Sequence, residues 1–235
     1  MTRSLPAAAA LLLSFGCYGE VVRGSGRPGR QTRDLAPFEG VEVGGGIHVT
    51  VITGPRRAVE IEADDNVLPL IETRVDGGKL KIRFRRHGNI WNSGDINVTV
   101  QQPSFSSLEA AGGASIQADL GSTPDLSLDA SGGAVILARG VEARSLAVSV
   151  SGGGRLELAG SADRLRLECS GGARLKAGKL RARVVQVDGS GGCTGQIEAS
   201  EMVRGQLSGG CQLHVTGKAS SRVATSGGSS VEWDE

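Results

Sequence analysis

The sequence predicts an all-β fold, a right-handed parallel β-helix (β-solenoid) whose rungs turn at Gly-Gly corners. A Gly-Gly motif recurs seven times at intervals of 18–20 residues, and aliphatic residues alternate with period two on both sides of it. Glycine makes up 37 of the 235 residues against 7 prolines, without the every-third-residue register that collagen needs. The glycine excess therefore belongs to the backbone of an ordered repeat of about 20 residues.

The Gly-Gly motif marks one corner of each rung. Its copies begin at positions 111, 131, 151, 170, 190, 208 and 226, and six of the seven start with serine. Glycine can adopt the positive φ angles that a tight corner requires and that other residues avoid. The residue after each pair is always small, as the crowded inner side of a corner demands: Ala114, Ala134, Gly154, Ala173, Cys193, Cys211 and Ser229.

Half-buried strands flank every corner. Leu126 and Leu128 precede one corner, and Leu156 and Leu158 follow the next, with polar residues between them. A rung of this length with no helical period has no room for a βαβ crossover. Equivalent strands of successive rungs are therefore expected to stack in parallel.

The N-terminal segment predicts an export signal. Residues 1–17 combine a short basic start with an apolar run too short to span a bilayer, which is typical of a signal peptide. The segment ends in Gly16-Cys17, which resembles a bacterial lipobox, so an acylated Cys17 would anchor the mature protein in the membrane. The alternative is an ordinary cleaved signal in which Cys17 is incidental.

Two further segments follow the signal. Residues 18–33 contain four arginines, three glycines after Val22 and few aliphatics, and they predict a flexible basic linker. Residues 34–235 predict a single solenoid domain. Within it, residues 34–105 form irregular rungs and residues 106–235 form the regular Ser-Gly-Gly rungs.

Several blocks in this order resemble the bacterial head GIN domain family, described as auto-transporter adhesins. The blocks are residues 38–43, 48–51, 59–68 and 78–82 and the Ser-Gly-Gly ladder, and together they cover roughly residues 38–232. The resemblance implies a β-helical fold and a place in the cell envelope. It supplies no catalytic residues. This chain departs from the family in having Gly-Gly and a small residue at corners where relatives often have Ser-Gly-Ser-Gly or Ser-Gly-Ala-Gly.

Clustered cations are the candidate ligand-binding residues. One set is Arg155, Arg174 and Lys176, of which the two arginines occupy the same outward position on neighbouring rungs. The other set alternates along one strand and comprises Lys79, Lys81 and Arg83. Such faces could bind anionic polysaccharide or lipid headgroups, although charged faces are often simply solvated. The sequence pI of about 7.7 and the 3% aromatic content argue against nucleic acid as a partner.

Two cysteines share one corner position. Stacking of adjacent rungs would place the Cα atoms of Cys193 and Cys211 about 5 Å apart, which is within disulfide range in an oxidising compartment. The alternative is two small buried side chains that never bond. Cys169 has no evident partner and is expected to pack inward. No cofactor is predicted, and the cysteines do not supply the ligands of a zinc site.

Three functions stay open at this point, and the first is preferred. It is a non-catalytic surface or adhesion module of the bacterial envelope, exported and held as an outer-membrane lipoprotein. The second is a carbohydrate-active β-helix enzyme such as a polysaccharide lyase, which needs clustered carboxylates that the regular rungs lack. The third is a structural envelope protein without a ligand. Catalytic serine chemistry is disfavoured because the serine recurs on six corners, and the oligomeric state is left open.

Overall fold

The computed structural model describes residues 22–85, 90–91 and 94–234. One 3-10 turn, Leu68–Leu70, accompanies the strands. The strands in chain order are β1 Val22–Arg23, β2 Pro28–Arg33, β3 Gly40–Gly44, β4 His48–Thr53, β5 Val59–Asp64, β6 Ile71–Asp76, β7 Lys79–Phe84, β8 Ile90–Trp91, β9 Asn97–Gln102, β10 Ser107–Ala111, β11 Ser115–Asp119, β12 Ser122–Ala130, β13 Val135–Val150, β14 Arg155–Gly171, β15 Arg174–Gly191, β16 Thr194–Leu207, β17 Gln212–Thr216, β18 Ser220–Thr225 and β19 Ser230–Asp234.

Parallel stacking of successive rungs produces a β-solenoid, which confirms the predicted fold class. Segments that precede the Gly-Gly corners pair into one lateral sheet, called here the entry face: β7, β3, β10, β12, the C-terminal parts of β13 to β16, and β18. Segments that follow the corners pair into a second sheet, the exit face: β9, β4, β11, the N-terminal parts of β13 to β16, β17 and β19.

The core consists of inward columns of aliphatic side chains. Ile116, Ile136, Leu156 and Leu175 stand in register on four consecutive strands of the exit face, and all four are buried. The predicted alternation is therefore confirmed on this face. Full burial of a side chain of this size contributes about 1.5–3 kcal/mol, so each rung adds a hydrophobic layer to the one before it.

The corners adopt the predicted backbone. The first glycine of each repeated pair has a positive φ between 65° and 84°. The N–H of Gly153 donates to the carbonyl oxygen of Gly132 at 2.7 Å, and the N–H of Gly192 donates to that of Gly171 at 2.9 Å. The hydrogen-bond ladder thus continues through the corner. The small residue that follows the pair is buried at every corner through Cys211, as the inward position requires.

The segment predicted to be a flexible linker is ordered from Val22 onward, so that prediction is wrong for most of its length. β2 runs antiparallel to β5, and β1 pairs with β8. The guanidinium of Arg33 donates to the carbonyl oxygens of Leu68 and Ile71. The segment lacks an apolar period because its main chain pairs with a sheet edge and its side chains bind by polar contacts, which a hydrophobic pattern does not report. We call residues 22–33 the strap.

Antiparallel pairings interrupt the parallel stack in the N-terminal part of the domain. β5 lies antiparallel to β9, and β6 and β7 form a hairpin. The hairpin loop consists of Gly77 and Gly78, both with positive φ, as a type I′ turn requires. These pairings close the N-terminal end of the solenoid, to which the strap is attached.

The close stacking at the corners predicts a sharp difference between two adjacent glycines. A Cβ on Gly209 would lie 2.6 Å from the carbonyl oxygen of Gly191, and the residue has φ +84°, whereas a Cβ on Gly210 would lie 3.8 Å from that oxygen. We expect Gly209→Ala to lower the free energy of unfolding by about 2 kcal/mol or more. Gly210→Ala is the matched control and should change it by less than about 1 kcal/mol. Equal effects in urea unfolding would contradict the stacking argument.

Candidate ligand-binding face

Three of the predicted cations lie together on the exit face. Arg155 and Arg174 are in-register partners on β14 and β15, and both are exposed. Neighbouring strands are about 4.8 Å apart, so the two guanidinium groups project from adjacent points of a rigid sheet. Lys176 occupies the next outward position on β15, and its Nζ lies 3.0 Å from Oε1 of Glu157 on β14. These four side chains form the exit-face patch.

The two arginines carry charge that the rest of the protein does not neutralise. Among the residues that the structure describes, neither Arg155 nor Arg174 lies within ion-pair distance of a carboxylate. Like charges directly opposite each other on neighbouring strands repel. An anion placed between them would relieve this repulsion, so the pair has the electrostatics of an anion-binding site.

A groove of about 500 Å³ runs beside the patch. It forms at a second, less regular bend, where the registers of β13 with β14 and of β14 with β15 shift. Arg139 and Lys179 lie on its walls together with Leu137 and Gln196. Arg139 was not among the residues predicted from the sequence. Arg139 and Lys179 line the same groove because of the register shifts, and only the unequal rung lengths of 20 and 19 residues could have signalled these shifts.

The second predicted set of cations is on the other face and is neutralised. Lys79 pairs with Glu109, Lys81 lies 3.1 Å from Asp76, and Arg83 lies 3.1 Å from Glu72. The hydrogen bond to Glu109 raises the pKa of Lys79, and the hydrogen bond from Lys81 lowers the pKa of Asp76. The structure therefore separates the two predicted sets. Of the two predicted sets, only the one on the exit face retains cations outside ion-pair distance of a carboxylate in the described part of the chain.

The C-terminal corners contain a disulfide. Cys193 and Cys211 are bonded, and their Cα atoms are 4.6 Å apart. Gly189 faces this bond from the entry face, where a Cβ would lie 3.1 Å and 3.3 Å from the two sulfur atoms and 2.6 Å from Cδ2 of Leu207. The glycine thus provides the space that the disulfide and Leu207 occupy.

Cys169 is buried and is the free cysteine of the described region. Burial raises the pKa of its thiol to about 11. The thiolate is the reactive form of cysteine, so this side chain is a packing residue with suppressed reactivity.

Neither a metal cluster nor a membrane-spanning helix is found among the described residues. Between residues 22 and 234, outside the two short gaps, no group of three or more His, Cys, Asp or Glu side chains is arranged to hold a metal ion. The same part of the chain contains no helix long and apolar enough to cross a membrane. Cys17, the predicted lipidation site, lies outside the described residues.

These features agree with the family to which the chain is matched. Residues 37–219 match the family described as "Putative auto-transporter adhesin, head GIN domain". The chain therefore belongs to the head GIN domain family, as the sequence resemblance implied. Membership in an adhesin-type family groups it with exported proteins of the cell surface or envelope. A search of proteins with curated functions finds no match.

Solved structures share the fold. A "putative adhesin" from Bacteroides fragilis superposes with a TM-score of 0.86 at 18% identity, covering 91% of this chain and 100% of that one. A "putative lipid binding protein" from Parabacteroides distasonis gives 0.77 at 15% identity, with 92% and 100% covered. A "putative adhesin" from Parabacteroides merdae gives 0.70 at 17% identity, with the same coverage. At these identities the similarity establishes the fold alone.

Reduction of the disulfide should destabilise the C-terminal rungs. Closing a loop of this length removes about 3 kcal/mol of unfolded-state entropy in the chain-entropy account, so dithiothreitol should lower the urea midpoint of the wild type. The Cys193→Ala/Cys211→Ala variant should have the lowered midpoint already and be insensitive to dithiothreitol, because alanine occupies the same corner position at Ala114, Ala134 and Ala173. A wild-type midpoint that does not respond to the reductant would contradict the bond.

Cys169 should resist alkylation while the protein is folded. With a pKa of about 11, only about one thiol in a thousand is ionised at pH 8, and the side chain is also buried. Iodoacetamide should therefore label Cys169 at least about a hundredfold more slowly in the folded protein than in urea, measured by mass spectrometry of the Cys169 peptide. Equal rates in the two states would show that the thiol is accessible.

Proposed function

We propose that the protein is a non-catalytic surface module of the bacterial envelope, anchored by an acylated Cys17, that uses its exit face to bind an anionic partner. The observation that carries the proposal is the pair Arg155 and Arg174, exposed in register and without carboxylate partners in the described chain. Membership in an adhesin-type family supports a surface role.

The solenoid holds these charges in place before any partner arrives. Each strand of the exit face is hydrogen-bonded on both sides from β4 to β17, so the spacing of outward side chains is set by the backbone. A binding surface that needs no reorganisation loses less entropy on association than a loop does. A passive, rigid face of this kind fits adhesion and needs no catalytic group.

The strap determines how far the module can stand from an anchored Cys17. Residues from Val22 onward are attached to the N-terminal end of the solenoid. The asparagine side chain of Asn66 donates to the carbonyl oxygen of Arg23, and a hydrogen bond from Ser25 lowers the pKa of Asp65. The five residue steps from Cys17 to Val22 span at most about 18 Å. The N-terminal end of the solenoid would therefore lie close to the bilayer.

Binding to envelope material and fractionation test the two halves of the proposal. Wild-type protein should partition with membranes and incorporate labelled palmitate, and Cys17→Ser should do neither.

Arg155→Glu/Arg174→Glu should lower binding to isolated envelopes about tenfold, because it replaces attraction of an anion with repulsion. The matched control is Arg164→Glu/Arg222→Glu, which makes the same charge change at exposed arginines of the entry face. Palmitate incorporation by Cys17→Ser would contradict the lipid anchor. Equal binding by the two double variants would contradict the binding site on the exit face.

A further inference from the structure

We infer that the anionic partner is an acidic polysaccharide that lies along the exit face, with its carboxylate or sulfate groups at Arg155, Arg174 and Lys179. The inference rests on the proposed function and names its ligand. Three observations carry it: the distribution of charge along the solenoid, the side chains that flank the exit-face patch, and the groove beside it.

Charge is segregated along the solenoid. Residues 34–130 contain 14 acidic and 8 basic residues, and the strap that docks against them adds four arginines, so residues 22–130 have a net charge of −2. Residues 135–234 contain 13 basic and 9 acidic residues, a net charge of +4. The acidic coils lie at the end that carries the strap. An anchored protein would thus turn its more basic half away from the bilayer.

An upright orientation on the anchor would keep the headgroups of the anchoring bilayer away from the exit-face patch. From β9, β14 is the fourth strand along the exit face, through β4, β11 and β13, which amounts to about 19 Å. The Debye length at physiological salt is about 8 Å, so an upright solenoid holds the patch beyond the field of the anchoring surface.

The column that continues Arg155 and Arg174 in both directions contains no other Lys, Arg, Asp or Glu and, apart from Val135, is polar. Toward the N-terminus the position of Arg155 is followed through Val135 by Ser115, His48 and Asn97, and toward the C-terminus Arg174 is followed by Thr194 and Gln212. The column of Lys176 continues with Gln196. Hydroxyl and amide groups of this kind donate to and accept from sugar hydroxyls.

The exit face offers little apolar surface for acyl chains, since its outward aliphatics Val135 and Leu137 are half-buried. Among the described residues the large hydrophobic side chain that is exposed is Trp233, at the last strand of the solenoid, and even it is only 37% exposed. A face that bound lipid would combine cations with exposed apolar side chains. This face combines cations with amides and hydroxyls, which favours a polysaccharide over a membrane.

The groove supplies a site for individual sugar units beside the charged column. Its volume of about 500 Å³ falls within the range of small-molecule sites. Leu137 offers an apolar surface to a sugar ring, Gln196 offers an amide, and Arg139 and Lys179 offer cations to an acidic substituent. Because the groove and the patch lie side by side on β13 to β15, one polymer can contact both.

Titration calorimetry with defined probes tests the inference. The full chain with Cys17→Ser would be titrated with dextran sulfate, polygalacturonate, uncharged dextran and phosphatidylglycerol vesicles. We expect binding to at least one acidic polymer, weakening with added salt, and none to dextran. Arg155→Glu/Arg174→Glu should weaken it about tenfold, whereas the entry-face control Arg164→Glu/Arg222→Glu should change it less than about twofold. Gln196→Ala should weaken binding without altering its salt dependence, which separates sugar contacts from charge.

The remaining outcomes would contradict the polysaccharide ligand, the binding site or the proposed function, respectively. Binding to the vesicles but not to either acidic polymer would overturn the polysaccharide ligand and leave the proposed function standing. Equal losses in the two double variants would show an effect of net charge and overturn the site. Binding to none of the probes or envelopes would overturn the proposed function as well, as would shortening of a polymer on incubation, which would show an enzyme. Circular dichroism of each variant checks folding, and the wild-type comparison of dextran sulfate with dextran needs no variant.

Discussion

In every regular rung the first glycine of the corner holds a left-handed backbone and lies directly against the corner of the rung before it. At Gly209 the space for a Cβ is occupied by the carbonyl oxygen of Gly191, and the next N–H donates to that same oxygen. The corner can therefore be both tight and fully hydrogen-bonded only with glycine. If the corners shifted, the strands on both faces would lose the register in which their aliphatic side chains pack.

The same register positions the outward side chains. A one-residue slip would turn each aliphatic outward and each polar residue inward, so burial of the core holds the outward columns in place. Arg155 and Arg174 lie side by side only because their rungs are aligned. Packing of the buried core holds them there despite their mutual repulsion. Lys79, Lys81 and Arg83, in contrast, are neutralised by nearby carboxylates. Stacking thus leaves the Arg155–Arg174 pair unneutralised on a rigid frame.

Local pattern explains why much of this fold was predictable. The corners, the alternating strands, the small inward residues and the juxtaposition of Cys193 with Cys211 all follow from a period of about 20 residues. The strap was mispredicted because its docking uses main-chain pairing and the polar contacts of Arg33, which leave no hydrophobic period. Arg139 was missed because the groove arises from register shifts, and an ideal repeat contains none.

The sequence by itself determined the parallel solenoid, because glycine spacing and aliphatic alternation are local properties that repeat from rung to rung. It also determined which cations stack, since in-register residues are one repeat apart. Only the tertiary structure decided which of those cations stay unpaired. Ion pairing depends on side chains far apart in the chain, as with Lys79 and Glu109, and the groove lined by Arg139 and Lys179 depends on an irregular bend. No period in the sequence encodes such contacts, because each occurs once.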